Sequence, residues 1–507
     1  MNTHKAAVHL LAPFDHVAPR GHVPKLLYFA SAVEPEIIVS TLRNALTETL
    51  EALPILKGTV DLVRDGSEYQ QGCLGIQAPY YTADEILSVK DLREKYDIRR
   101  LRAKQFPTNG VDPVLVTPDL SRDPPPVMLA QANLIQGGLL LVFAIHHTVM
   151  DEQGLFNVIR VWSAYCSGAD GARLVGPDWT DRNPLVEGEG PGKLQAYPEY
   201  QLRPEESLGA APAYLSDGSS IGTAVLFFSN ASLEKLKKVA SKSEDEVSGK
   251  TNVPATINGT ENLDDTHHIK ASRSWISTND ALCGLLWKSI TAARSPTLAK
   301  YPPSTLSHFN MAVSGRSILS PPISPDYVGN VTVISKAYLP LSMLLSVPSS
   351  SPNGAELKGE GEVEKVTSSP LQLPSLASTI RKSISNITSP TIKDIIASLR
   401  SISNLQRLAP SGYNSRGTNI GCSSWARQPY YDLQWGSIVG GGSGNCERLR
   451  WRSVKTDGIF VILPKLPGDA AKGEEGGLEI ILGLEREVLG RLLEDEGLRE
   501  YAKWRCG

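Results

Sequence analysis

The chain reads as a layered protein of sheets and helices, α/β or α+β, in two halves, and three observations predict this. Residues 139–145 form the longest uninterrupted apolar run, and a run this short is a strand buried on both faces, since crossing a bilayer takes about 20 residues. Directly after it, Leu155, Val158, Ile159, Trp162 and Tyr165 recur at helical spacing, so the strand passes into an amphipathic helix. Between about residues 177 and 218 all period is lost and Gly, Pro, Glu and Tyr dominate, which reads as a crossover between halves. Length agrees, because 507 residues at roughly 150 per domain give two to four domains.

The elements follow in order. Residues 25–29 read as a strand and 38–53 as a helix with Leu42, Ala45, Leu46, Leu50 and Leu53 inward, ended by Pro54. Residues 126–132 and 138–145 read as a hairpin whose second member is central. Beyond the crossover come a strand at 223–228, a helix at 232–240, a helix at 278–294 and a strand at 308–313. Strands at 458–463 and 478–484 precede a charged helix from residue 485 onward. Residues 1–190 are taken as one domain, 191–220 as the linker and 221–507 as the second domain. Two polar, low-complexity stretches, 241–268 and 346–369, are expected to be flexible surface insertions.

Composition excludes several functions. Lys and Arg total 51 against 54 Asp and Glu, the net charge is −3, and no basic run exceeds two residues, so nucleic acid is not an expected partner. Six cysteines lie far apart without a CxxC pair, which predicts reduced thiols rather than a zinc knuckle or disulfide framework. The first 13 residues lack the unbroken apolar stretch of a signal peptide, so a cytoplasmic protein without a membrane span is expected.

The most informative motif is His147-x-x-x-Asp151-x-x-Gly154, at the end of the buried strand and the start of the helix. Chance predicts about 0.04 occurrences of this pattern in the chain. A strand end can fix an imidazole at the floor of a cleft, where it titrates near neutral pH and takes a proton from a hydroxyl or amine. Asp151 either orients that imidazole or turns away to pair with an arginine and shape the loop. The bland reading, a pair of buried histidines at a strand end, would win for an arbitrary histidine.

A second segment changes those odds: Ser423-Ser424-Trp425 followed by Asp432-Leu433-Gln434-Trp435-Gly436. With both segments in this order, the chain resembles the BAHD acyltransferases, plant and fungal enzymes that move an acyl group from coenzyme A to an alcohol or amine. The likeness is to the fungal branch that includes the trichothecene O-acetyltransferases. It covers nearly the whole length and extends to residues 277–282, 314–317 and 327–330. The family's DFGWG stands here with Leu433-Gln434 in place of Phe-Gly, and Gln does not cheaply adopt every backbone conformation open to Gly.

The resemblance implies a two-lobed acyltransferase fold like that of chloramphenicol acetyltransferase, each lobe a mixed sheet covered by helices, with a channel at the interface. It implies His147 as general base, direct transfer without an acyl-enzyme, and an oxyanion met by donors from Ser423 and Trp425. It gives Asp151 and Arg316 a structural pairing, and Gly154, Asp432, Trp435 and Gly436 loop-shaping roles. Acyl-CoA, expected to be acetyl-CoA, is the co-substrate; a small-molecule alcohol of secondary metabolism is the acceptor; a monomer without a metal is expected.

Thr278 and Asn279 either cap a helix or lie beside the pantetheine arm of CoA. His267-His268 lacks further ligands for a metal. Residues 440–444 are glycine-rich but lack the Lys-Ser/Thr ending of a phosphate loop. Two other readings stay open: an amide-forming condensation domain, which shares HHxxxDG, and a relative that binds a metabolite without turnover.

Overall fold

The computed structural model describes residues 8–64, 70–208, 220–242, 275–345, 372–409, 417–436, 439, 444–451, 454, 456–468 and 473–507. Most of the two expected insertions, and residues 440–443 and 267–268, lie outside them.

The strands in chain order are β1 (His9–Leu10), β2 (His22–Ala30), β3 (Thr59–Leu62), β4 (Leu74–Gln77), β5 (Leu87–Asp91), β6 (Met128–Ile135) and β7 (Gly138–His146). They continue as β8 (Ile221–Ser229), β9 (Leu306–Ser314), β10 (Thr332–Pro340), β11 (Ile420–Ser424) and β12 (Arg448–Trp451). The last three are β13 (Ile459–Ile462), β14 (Gly477–Glu485) and β15 (Lys503–Cys506). They form a five-stranded sheet of order β12-β2-β7-β6-β5, a seven-stranded sheet of order β10-β9-β11-β13-β14-β8-β15, and the small sheet β1-β4-β3. Both large sheets are mixed and covered by helices, so the fold is the expected α/β one.

As its all-apolar run requires, β7 is central and every residue in it is buried. Helices Pro35–Ala52 and Glu152–Cys166 lie against each other on one face of the five-stranded sheet. Val225, Val461 and Ile481 on one face of the seven-stranded sheet share a core with Phe143, Leu155 and Trp162, so the large sheets meet through side chains of both.

Three features depart from the sequence reading. Strand β12 comes from late in the chain yet pairs antiparallel with β2, at the edge of the five-stranded sheet. The helix expected from residue 485 onward ends at Glu494; after Glu496–Arg499 the chain turns into β15, which pairs with β8. Helices Leu373–Ser385 and Ser389–Arg400 stand where no helix was read. The crossover does run as irregular chain with short 3-10 turns through residue 208, and it is tied down by Asp394, whose carboxylate accepts from Tyr197 and from the Gly192 amide.

Candidate active site

His147 follows the last residue of β7, and its backbone is fixed on both sides. Its amide donates to the Gly21 carbonyl at 2.8 Å, and its carbonyl accepts from the Asn330 side chain at 3.1 Å. The ring is half-buried, and Nδ1 lies 3.2 Å from the Met150 carbonyl. A carbonyl can only accept, so Nδ1 carries the hydrogen and Nε2 the lone pair. Among the described residues none hydrogen-bonds Nε2. Burial lowers the basicity of the ring from its ordinary value of 6.5, and the Lys25 cation acts in the same direction against Asp151 and the Met150 carbonyl. The imidazole is therefore neutral at pH 7, the state a proton acceptor needs.

Asp151 caps helix Glu152–Cys166, accepting from the Gly154 amide at 3.1 Å. Its carboxylate is gripped by Arg316 through two hydrogen bonds, of 2.7 and 2.8 Å, and by the Val331 amide at 3.0 Å. Arg316 also donates to the Tyr327 and Gly329 carbonyls. Burial pushes the Asp151 carboxyl up, but Arg316 and the amides outweigh it and hold it below its ordinary value. Gly154 is required by space: a Cβ there would stand 2.9 Å from Val328 Cα.

The second segment docks on the start of this helix. Tyr430 donates to Glu152 at 2.9 Å, Gln428 to Gln153 at 2.9 Å, and the rings of Tyr430 and Phe156 meet edge to face. Ser423 sits in β11 beside Val461, and the Trp425 indole N–H donates to Ser423 Oγ at 3.2 Å. That leaves the serine hydroxyl hydrogen as the donor the pair presents.

In the DFGWG-like loop Trp435 is wholly buried, edge to face with Phe29 and Trp162. Gly436 has φ +77°, and a Cβ there would stand 2.8 Å from the Cys166 carbonyl, so this glycine is the one the turn demands. Gln434, at the altered position, has no left-handed backbone, and its side chain is exposed while Leu433 fills the core. Asp432 is exposed at the end of the turn Tyr430–Asp432.

Thr278 and Asn279 open helix Thr278–Ala293, but the cap is Ser277, in a capping box with Asp280. The Asn279 amide turns to Met311 Sδ and Cys283 Sγ.

Sequence reasoning missed Lys25, which lies in β2 at the foot of the site. Its side chain is fully buried, its Nζ is 2.6 Å from Glu152 Oε2, and it stands 3.1 Å from the centroid of the Trp425 ring. No group of three metal-ligating side chains occurs among the described residues. A groove is lined by Phe156, Arg160, Leu174, Asp432 and Leu433, without His147.

A family model described as the Transferase family matches residues 4–351. The O-acetyltransferase ptmV of Penicillium ochrochloron is 25% identical over 97% of this chain and 96% of its own. The eremophilane O-acetyltransferase prx11 of Penicillium rubens is 25% identical, covering 97% of both chains. Among solved structures, TRI101 of F. sporotrichioides, complexed with coenzyme A and T-2, superposes with TM-score 0.71 over 98% of this chain and 99% of that one at 23% identity. Vinorine synthase superposes with TM-score 0.55 over 97% and 93% at 13% identity. These superpositions establish the shared fold.

Proposed function

This chain belongs to the Transferase family, the BAHD acyltransferases, and from that premise we propose that it transfers an acyl group, acetyl by preference, from CoA to a hydroxyl of a small secondary metabolite. The observation that carries the proposal is the tautomer of His147: the Met150 carbonyl holds the Nδ1 hydrogen and leaves the Nε2 lone pair for substrate. The similar fungal proteins named O-acetyltransferases support the choice of acetyl and of a hydroxyl acceptor. The TRI101 complexes with coenzyme A and a small molecule support a two-substrate site.

In this reading the acceptor hydroxyl gives its proton to Nε2 of His147 as its oxygen attacks the thioester carbon. The carbonyl oxygen becomes an oxyanion, which the Ser423 hydroxyl meets while the Trp425 indole orients that serine. The intermediate collapses, the C–S bond breaks, and the imidazolium returns its proton to the CoA thiolate. No acyl-enzyme forms. Asp151 and Arg316 hold the HxxxD loop, Gly154 gives it room, Asp432, Trp435 and Gly436 shape the DFGWG-like loop, and the helix start at Thr278 and Asn279 would lie beside the pantetheine. Two domains, 1–190 and 221–507 joined by 191–220, would bring CoA and acceptor to His147 from opposite ends of one channel. The protein would work as a cytoplasmic monomer.

The test is release of free CoA from acetyl-CoA with hydroxylated terpenoid, alkaloid and polyketide acceptors, with His147→Ala as control. Acceptor-dependent release that the variant lacks supports the reading. CoA binding without release points to a non-catalytic relative, and no CoA binding points to a condensation enzyme that takes carrier-bound thioesters.

A further inference from the structure

We propose that the buried pair Lys25 and Glu152 is a positioning device for acyl transfer: Lys25 clamps the indole of Trp425 so that Ser423 faces the reacting carbonyl, and Glu152 anchors Lys25 beside His147. This rests on the acyltransferase reading. The geometry is specific. Lys25 lies in β2, next to β12 and β7, with no exposed side-chain surface, and its ammonium meets both the Glu152 carboxylate and the Trp425 π face. Glu152 also accepts from Tyr430, so one carboxylate joins β2, the helix start behind Asp151 and the segment after Trp425.

Stability does not account for such a pair. Desolvating two charges costs about what their attraction returns, and apolar residues of similar volume often serve folding equally well. The ion pair instead sits where Trp425 meets the helix that begins at the HxxxD loop. A cation over an indole face holds the ring plane, and the plane sets where the N–H points. That N–H is the one donating to Ser423 Oγ. Burial lowers Lys25 and raises Glu152, and each partner's charge opposes the shift without reversing it; the Tyr430 hydroxyl also favours the Glu152 carboxylate, while Asp151 disfavours it.

The charges around His147 make the second half of the proposal measurable. Asp151 acts on it from the helix start and Lys25 from β2, and its chain neighbour His146 at the end of β7 in turn faces His22 and Arg20. Removing the Lys25 cation makes the His147 imidazolium easier to form.

The decisive variant is Lys25→Met with Glu152→Gln, which leaves no orphaned charge. Its expected kcat is about 10- to 100-fold below wild type, with KM for acetyl-CoA within about twofold and the melting temperature retained. A double variant with wild-type kcat overturns the proposal. Independently of turnover, carbethoxylation of the full chain by diethyl pyrocarbonate is followed at His147 by mass spectrometry across pH. The midpoint moves to higher pH in Lys25→Met; a midpoint that stays at the wild-type value overturns it. A wild-type chain that releases no CoA with any acceptor sinks the acyltransferase reading instead, and the midpoint still decides whether Lys25 stands against His147.

Discussion

Arg316 closes on Asp151 with two hydrogen bonds, of 2.7 and 2.8 Å, and both side chains are buried. The aspartate of the HxxxD segment is thereby spent on the loop; among the described residues its carboxylate makes no hydrogen bond to the His147 ring. Of the two roles its spacing allows, the pairing with an arginine is the one the geometry carries.

Removing either partner leaves a buried charge alone, so Asp151→Ala or Arg316→Ala is expected to cost about 3–5 kcal/mol in urea unfolding. The Asp151 carboxyl lies below its ordinary 3.8 in the folded chain, so its contribution is present above that pH and is lost as pH falls through the lower native value. Unchanged stability with only a kinetic defect would return Asp151 to the chemistry.

His147→Ala is expected to lower kcat by about two to four orders of magnitude, with the melting temperature held, since its ring makes no side-chain hydrogen bond among the described residues. Because burial depresses the basicity of the imidazole, the acid limb of kcat/KM should lie below pH 6.5. A limb above 6.5, or a variant with near-wild-type turnover, removes His147 from the role of base.

Gly154→Ala should act on the same loop by crowding. A Cβ would meet Val328 Cα at 2.9 Å and Met150 Cβ at 3.0 Å, so either the backbone at Val328 or the loop that carries Met150 must move. Overpacking of this kind costs about 1–3 kcal/mol. The Met150 carbonyl that holds the His147 ring should shift as well, so kcat should fall in the molecules that remain folded. A melting curve and turnover equal to wild type would mean the loop has room to spare.

Much of this site was legible because it is local. His147, Asp151 and Gly154 lie on one strand end and one helix cap, and the apolar run before them fixed the register. Arg316 lies 165 residues from Asp151 and was readable only through the family resemblance. Lys25 was not legible at all: inside an otherwise apolar strand a lysine reads as an outward-facing residue, and its partner is set by tertiary packing. Strand β12 was missed for a related reason. Arg448-Leu449-Arg450-Trp451 looks like exposed chain until Glu479, from another sheet, pairs with both of its arginines.

His16 supplies a pH test of the fold. Nε2 accepts from the Leu74 amide at 2.9 Å and Nδ1 lies 3.0 Å from the Ala12 carbonyl, so the buried ring is neutral and protonation would break the Leu74 bond. Burial lowers it from 6.5 to about 4. The unfolded chain therefore takes up a proton first as pH falls below 6.5, and stability drops by on the order of 3 kcal/mol by about pH 4. His16→Gln should lose correspondingly less between pH 7 and 4.5 in urea unfolding. Equal losses in the two chains would show that His16 is not held neutral.

Glu479 is expected to matter for folding and not for turnover. It is wholly buried in β14, with Arg450 at 2.6 Å, Arg505 at 3.0 Å and Arg448 at 3.6 Å. Arg448 and Arg450 belong to the five-stranded sheet and Arg505 to β15, so one carboxylate bridges three guanidiniums across the contact between the large sheets. Arg450 also donates to the carbonyls of Gln105 and Phe106, the two described non-glycine residues with positive φ, which ties that turn to the same cluster. Burial pushes the Glu479 carboxyl up, but the arginines hold it at about 2. Its contribution is therefore complete above its ordinary 4.5 and lost as pH falls toward 2. Glu479→Gln keeps the shape, removes the charge and leaves three cations facing one another, at a cost of about 3–5 kcal/mol in urea unfolding at pH 7. CoA release per folded molecule should match wild type, because none of these groups contacts His147, Ser423 or Trp425. Stability within 1 kcal/mol of wild type would show that the cluster does not hold the two sheets together, and a loss of turnover in the folded fraction would show that it reaches the site.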